Sequence, residues 1–229
     1  MATGTGKVVV AASEEHPVVQ AIVSWVKGHR QASSYGAAAI VFGVGLLYWM
    51  HLSSARTEAV ASDELLRARV AYESKNYPLA ASELSRVIEN YSGTRSAQEG
   101  QILEAQVRLA QGQSQQAIDL LKTFAPSASK NYRAQAYGLL GAAYENVAHP
   151  KEAAEAYEQA SGVAGMDFLK AQYLSDAGRA WVAAADTAKA LADYRRIVKE
   201  FKETGTATEA KVRLGELSRG AEVVEAQAS

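Results

Sequence analysis

The residue types that most often perform chemistry are scattered along this chain. It has four histidines: His16, His29, His51 and His149. No two of them stand three or four positions apart, so their spacing does not predict a pair of metal ligands on one helix. The sequence GTGK at residues 4–7 contains only part of a phosphate-binding loop, because the first glycine is missing and Val8 stands where a hydroxyl would bind the metal ion. Neither feature predicts a metal or nucleotide site.

The remaining candidates for catalysis or cofactor binding are equally weak. The glycines of GVG at residues 43–45 lie inside an apolar run and precede no helix start, so they do not predict a dinucleotide site. Acidic residues such as Glu145, Glu155 and Asp176 fall on helix faces rich in Arg and Lys, a pattern typical of a solvated surface. The chain has no cysteine, which excludes disulfides, thiolate metal ligands, a cysteine nucleophile and a lipidated cysteine. We therefore expect no enzyme activity, no cofactor, no metal and no small-molecule substrate.

Composition favours helices that bury a core. At 229 residues and 48% hydrophobic content, the chain is long enough for one or two globular domains. Alanine is frequent and there are four prolines, and both facts favour helix over sheet. Acidic and basic residues are interleaved and give a net charge of -1, so no basic stripe is available to neutralise a nucleic-acid backbone. The sequence predicts an all-α protein with no nucleic-acid partner.

One long apolar segment lies near the N-terminus. No residue between Arg30 and Arg56 is formally charged, and residues 35–52 (YGAAAIVFGVGLLYWMHL) are apolar apart from their ends. As a helix this segment would be about 27 Å long, close to the hydrocarbon thickness of about 30 Å. Aromatic rings at both ends suit the headgroup layers. We predict a single transmembrane helix at 34–53; a buried core helix and a cleavable signal peptide are the alternatives.

Small residues in this segment would let a second helix approach closely. They are Ala39, Gly43 and Gly45. Charge does not determine the orientation in the membrane, because Lys27 and Arg30 precede the span and further arginines follow it. A contact between membrane helices is therefore a prediction, and the orientation stays open.

The residues before the span form an amphipathic pattern at 17–31. Its apolar positions recur at helical spacing: Val18, Val19, Ile22, Val23 and Val26. Such a helix can lie in the membrane interface, bind a membrane partner or pack on the protein's own domain. We predict an interfacial helix here, after a flexible tail at 1–16.

From residue 57 onward the chain has a period. Alanines recur at spacings of 37, 36 and 37 residues: Ala80, Ala117, Ala153 and Ala190. Another tiny residue stands twelve positions before each of these alanines: Ala68, Ala105, Gly141 and Gly178. Gly215 continues this second series. Four positions after each alanine stands a large side chain: Leu84, Leu121, Tyr157 and Tyr194. Tiny side chains at fixed positions predict helices packed at close range, with large residues filling the space beside them.

These columns resemble the tetratricopeptide repeat, a helix-turn-helix unit of about 34 residues. The third copy carries the pattern most fully: Tyr137, Leu140, Gly141, Tyr144, Ala153, Tyr157 and Ala160. The resemblance implies a right-handed α-solenoid of about four repeats plus a C-terminal capping helix. We expect this domain at 57–219, after the single transmembrane helix, with a flexible tail at 220–229.

In this family the first helices of the repeats line a concave face that binds proteins. The resemblance places these candidate partner-binding residues on it: Arg69, Tyr72, Gln106, Gln135, Asn146, Gln172, Arg179 and Arg213. Some members clamp a terminal carboxylate with a Lys/Asn/Arg set, which Arg69, Gln106 and Asn146 do not reproduce. A receptor for such tails is therefore disfavoured.

The order of segments resembles membrane-anchored tetratricopeptide proteins of bacteria, including the YfgM-like ancillary subunit family of the SecYEG translocon. This resemblance implies an inner-membrane protein with a periplasmic repeat domain. We expect a non-catalytic accessory or scaffold subunit that contacts lipid, a membrane protein complex or soluble proteins. The alternatives are a chaperone-like binder of exported polypeptides and an envelope-assembly scaffold.

Overall fold

The computed structural model describes Trp25, Gly28 and residues 30–218, without the side chains of 30–34 and 36–40. The tails predicted at 1–16 and 220–229, and most of the helix predicted at 17–31, lie outside these residues. The described part is all-α, as predicted, with nine helices joined by short turns. They are α1 (Arg30–Glu73), α2 (Tyr77–Asn90), α3 (Arg95–Ala110), α4 (Ser114–Ser127), α5 (Lys130–Asn146), α6 (Pro150–Val163), α7 (Asp167–Ala183), α8 (Thr187–Glu200) and α9 (Gly205–Leu217).

The chain divides into two compact units, Met1–Ser54 and Ala55–Ser229. In the first unit, the large apolar side chains of α1 between Val41 and Leu52 are exposed, including Phe42 and Trp49. Across the described residues, no helix reaches both the length and the hydropathy that a membrane crossing requires. The transmembrane helix at 34–53 stays a prediction.

The second unit is a helical solenoid in which each helix packs against the next from α2 to α9. Helices α1, α3, α5 and α7 are the first helices of four repeats, α2, α4, α6 and α8 are the second helices, and α9 follows as a single helix. Three apolar clusters fill the spaces between helices, and each combines alanines with a few large side chains. The second cluster, for example, places Ala117 and Ala136 beside Leu121 and Phe124.

The turn inside every repeat contains one residue with a left-handed backbone. Lys75, Ala148 and Ala185 have φ near 60°, and Gly112 has φ of 72°. Their spacing is again 37, 36 and 37 residues. Only Gly112 adopts this conformation without steric penalty, because an L side chain crowds the backbone there. The turn is thus a shared structural feature that residue type alone does not reveal.

Helix α3 begins against a carboxylate supplied by α1. Glu58 accepts hydrogen bonds from the backbone N–H groups of Arg95 (2.8 Å) and Ser96 (3.0 Å), and from the Ser96 hydroxyl (2.7 Å). The Oγ1 of Thr94 accepts a further bond from Ala97 N–H at 3.0 Å. These acceptors satisfy N–H groups that a helix start leaves without partners, and a negative charge is favourable at that end. Glu58 therefore joins the first repeat to the second.

Candidate functional site

The first helices of the repeats lie side by side and form one face of the second unit. Helix α3 contacts α5, and α7 contacts α9. Across α5 and α7, the ring of Tyr173 covers Gly138, where an added Cβ would lie 2.5 Å from Cε1 of the tyrosine. We call this surface the first-helix face. Two clefts open on it.

Cleft 1 lies where α1, α3 and α5 meet and has a volume of about 350 Å³. It is lined by Arg69, Glu99, Ile102, Leu103, Gln106, Tyr132 and Gln135. An ion pair between Arg69 and Glu99 connects α1 to α3. The other polar side chains of the cleft are two uncharged amides and a phenol. Because its two opposite charges are paired with each other, cleft 1 offers hydrogen bonds and little net charge.

Cleft 2 lies at the C-terminal end of the face, among α7, α8 and α9, and has a volume of about 300 Å³. It is lined by Gln172, Ser175, Asp176, Arg179, Val182, Tyr194, Glu209, Arg213, Glu216 and Leu217. Volumes near 300 Å³ are at the small end of ligand pockets. Cleft 2 has room for one or two side chains of a partner rather than for a folded domain.

Each arginine of cleft 2 is held between two carboxylates. Arg179 pairs with Glu145 on α5 at 2.5 Å and with Asp176 at 3.2 Å. Arg213 pairs with Glu216 at 3.0 Å and with Glu209 at 4.0 Å. Four carboxylates therefore surround two guanidinium groups. The excess charge at this end of the face is negative.

Burial and these charges act on the titration of the groups in cleft 2. Burial raises the pKa of Asp176, and the negative charge of Glu145 adds to the increase, while Arg179 opposes it. Burial acts to lower the pKa of Arg179, but the hydrogen bonds and charges of Glu145 and Asp176 outweigh it and raise that pKa. Arg179 thus keeps its positive charge, and part of the negative charge around it is poorly solvated.

Six of the eight predicted partner-binding residues line the two clefts. Cleft 1 contains three of them, Arg69, Gln106 and Gln135, and cleft 2 contains Gln172, Arg179 and Arg213. The other two lie elsewhere. Tyr72 is partly buried with its ring 5.9 Å from that of Tyr77, and Asn146 is exposed at the end of α5.

The sequence does not single out the carboxylates that pair with Arg179 of cleft 2. The sequence pattern predicts that Glu145 and Asp176 are solvated surface residues. In the structure about three quarters of each side chain is buried, and both pair with Arg179. Glu155, interpreted in the same way, is exposed. Glu145 and Arg179 are 34 positions apart. The repeat period of 36 or 37 residues places Glu145 and Arg179 on adjacent first helices, but it does not predict that the two side chains pair.

The tiny residues of the repeat columns lie at the helix contacts. Six alanines are wholly buried: Ala68, Ala80, Ala105, Ala117, Ala153 and Ala190. Gly141 and Gly178 are buried under the rings of Tyr157 and Tyr194, whereas Gly215 is partly exposed. In the first unit, a Cβ added at Gly43 or Gly45 would meet no atom within 4 Å. The side chain of Ala39 is not among those that the structure describes.

The polar side chains that line the two clefts belong to the part of the chain that the structure describes. There, no group of three or more His, Asp or Glu side chains could hold a metal ion. The charged groups that line the clefts form ion pairs, and the remaining polar groups are amides and hydroxyls. What this arrangement can do chemically is form hydrogen bonds and ion pairs with another polypeptide.

Comparison with known proteins gives matches to the repeat region. The sequence model of the tetratricopeptide repeat-like domain matches residues 50–174, more than half of the chain. None of the curated proteins compared with the chain matches it in sequence.

Solved structures resemble the fold at low sequence identity. One of them is a Podosopora anserina protein assigned as a kinesin light chain with nearly identical TPR-like repeats. It is 18% identical to this chain in sequence, with a TM-score of 0.56, and the match covers 75% of this chain and 92% of that one. A crystal structure of a single-residue variant of that protein gives the same identity and score. MamA from Desulfovibrio magneticus RS-1, from residue 41 to its end, is 18% identical over 70% of this chain and 77% of its own, with a TM-score of 0.48.

Proposed function

Because the chain belongs to the tetratricopeptide repeat-like domain family, we propose that it is a non-catalytic accessory subunit that binds other proteins through its first-helix face. The observation that carries this proposal is the pair of clefts on that face, both lined by polar side chains of successive first helices. Stacked helical repeats commonly present such a surface to peptides and proteins.

The charges of the face favour one kind of partner. Cleft 1 is close to neutral, while cleft 2 has more carboxylates than guanidinium groups. A partner segment with a Lys or Arg side chain at the α9 end would supply the missing positive charge, and complementary charge mainly improves specificity and association rate. We therefore propose a polypeptide segment that is basic at one end.

The first part of α1 supports a membrane anchor. Its described large apolar side chains from Val41 to Leu52 are exposed, an arrangement that water disfavours and a bilayer or an apolar partner helix would accept. We propose that residues 34–53 cross the bacterial inner membrane and that the repeat domain is periplasmic, as in the YfgM-like family. Protease protection in right-side-out vesicles tests this: digestion of the repeat domain from outside supports the topology, and full protection contradicts it.

The accessory-subunit proposal is tested by purifying the tagged full chain from membranes in mild detergent. A subunit should keep a protein partner in fixed ratio through washing, and a double variant of cleft 2, Asp176→Asn with Glu209→Gln, should release it. Glu155→Gln is the matched control, since it removes an exposed carboxylate outside both clefts.

Two outcomes would contradict the proposal. Purification of the full chain alone would rule out a stable complex. Weak binding of many unfolded chains, with suppression of their aggregation, would instead favour the chaperone-like alternative. Retention of the partner by the cleft 2 variant would leave the subunit role intact but exclude cleft 2 as the contact.

A further inference from the structure

A carboxyl group is buried at the joint between the third and fourth repeats. Asp193 lies on α8, the second helix of repeat 4, and only 8% of the residue is exposed. Its Oδ2 atom is inaccessible and has no hydrogen-bond partner among the described residues. A charged oxygen in that position is far less favourable than a neutral one, because neither water nor a donor compensates for burial.

A second carboxylate acts on Asp193 from the neighbouring repeat. Glu158 lies on α6, and its Oε1 accepts a hydrogen bond of 2.7 Å from the indole N–H of Trp181 at the end of α7. The indole is wholly buried, and the ammonium group of Lys189 lies 3.8 Å from the centroid of its ring. The hydrogen bond to the buried indole holds Glu158 at this joint.

The charges that act on Asp193 come from two helices. Glu158 on α6 opposes ionisation, while Arg196 and Lys189 on α8 itself favour it. Helix α7 contributes the uncharged indole of Trp181. The α9 charges Glu209 and Arg213 act on the adjacent Tyr194. Burial raises the pKa of Asp193 to about 7, with Glu158 adding to the increase.

We infer that Asp193 and Glu158 form a proton-dependent latch between the third and fourth repeats. While Asp193 carries a proton, the joint contains one charged carboxylate, held by Trp181. When Asp193 loses its proton, a second negative charge appears at the joint, on a buried oxygen without a hydrogen-bond donor, and it repels the charge of Glu158. The contact between the two repeats is then weaker. Because a repeat contacts only its neighbours, the weakening should appear in α8 and α9 rather than throughout the solenoid.

The direction of the pH effect follows from the raised pKa. Below about pH 4 the Asp193 carboxyl is protonated in both the folded and the unfolded chain, so it does not lower the free energy of unfolding there. As the pH rises toward 7, the unfolded chain releases the proton and the folded chain retains it, so stability falls. Linkage then predicts that the unfolding equilibrium constant rises about 100-fold between about pH 5 and pH 8 because of this group.

The experiment uses the full chain in mild detergent and three variants with different expected signs. Asp193→Asn should remove the 100-fold rise in the unfolding constant. Glu158→Gln should move the midpoint of the transition to lower pH, and Arg196→Gln should move it to higher pH. Glu203→Gln, an exposed carboxylate in the turn after α8, is the control and should change neither.

A second measurement keeps the test independent of unfolding. The chain has three tryptophans, so protein labelled with 15N-tryptophan should give three indole N–H signals, and Trp181→Phe identifies the relevant one. Its chemical shift should titrate near neutral pH in the native protein and not in Asp193→Asn. A flat titration, or shifts in the same direction for Glu158→Gln and Arg196→Gln, would overturn the latch.

Discussion

The contact between Gly141 and Tyr157 can be tested with one methyl group. A Cβ added at Gly141 would lie 2.6 Å from Cε1, 2.7 Å from Cδ1 and 2.8 Å from Cζ of the tyrosine ring. The ring has little freedom to move away. Tyr157 is 5% exposed, and its hydroxyl donates a hydrogen bond of 2.9 Å to Oε2 of Glu145. Gly141→Ala must therefore displace the ring, the hydrogen bond or the backbone of α5.

Two opposing effects determine the size of the change. Alanine favours a helix interior over glycine by about 1 kcal/mol. Overpacking a core costs about 1 to 3 kcal/mol, and loss of the hydroxyl bond would add about 1 kcal/mol. We expect Gly141→Ala to lower the free energy of unfolding by about 1 to 3 kcal/mol, since packing outweighs helix propensity.

Gly100 provides the matched control, because it is also a buried glycine inside a first helix. A Cβ there would lie 3.5 Å from Cγ1 of Ile88, an ordinary contact distance. Gly100→Ala should therefore keep the propensity gain and raise stability by up to about 1 kcal/mol. Urea unfolding followed by circular dichroism gives both values. If Gly141→Ala is as stable as Gly100→Ala, the close contact with the ring of Tyr157 does not constrain the helix pair.

Two further predictions concern the turns and the cap. Ala148→Gly should raise the free energy of unfolding by about 1 kcal/mol, because glycine adopts the left-handed backbone without steric penalty. Gly112→Ala should lower it by about as much, and urea unfolding measures both changes. Changes of the same sign in the two variants would contradict this prediction. Burial acts to raise the pKa of Glu58, but hydrogen bonds from Ser96 and Arg95, and the charge of Arg95, lower it overall. The contribution of Glu58 to the free energy of unfolding should be complete above about pH 4.5 and decline as the pH falls through the lowered pKa. Glu58→Gln should lower the free energy of unfolding by about 1 kcal/mol at neutral pH and reduce its decrease toward acid pH. The same decrease in the variant as in the unchanged protein would show that the Glu58 cap does not contribute to stability.

The fold was predictable because small residues recur with a constant period. Packed helix pairs tolerate only tiny side chains at their closest points. The period therefore predicts a series of helix pairs, and its residues are Ala80, Ala117, Ala153 and Ala190. The turns were less predictable. Lys75, Ala148 and Ala185 carry no residue-type signal for a left-handed backbone, because the surrounding helices impose that conformation.

The candidate site was predictable only in outline. The repeat pattern places side chains such as Arg69 and Arg179 on the first-helix face, since their position in the unit determines the face. Ion pairs such as Glu145 with Arg179 depend on how far one first helix is displaced along the next. That displacement follows from contacts such as Tyr173 over Gly138, which residue spacing does not specify. Burial of Asp193 likewise depends on three helices at once.

The regular spacing of the left-handed turn residues has a consequence for engineering. Cutting the chain at two equivalent turns, Gly112 and Ala148, would isolate a segment of one period that begins and ends in the same backbone conformation. A duplicated copy inserted there should join without a new linker, since each interface needs only its neighbours. The solenoid should thus be extendable by whole modules, lengthening the recognition surface while leaving the α9 end unchanged.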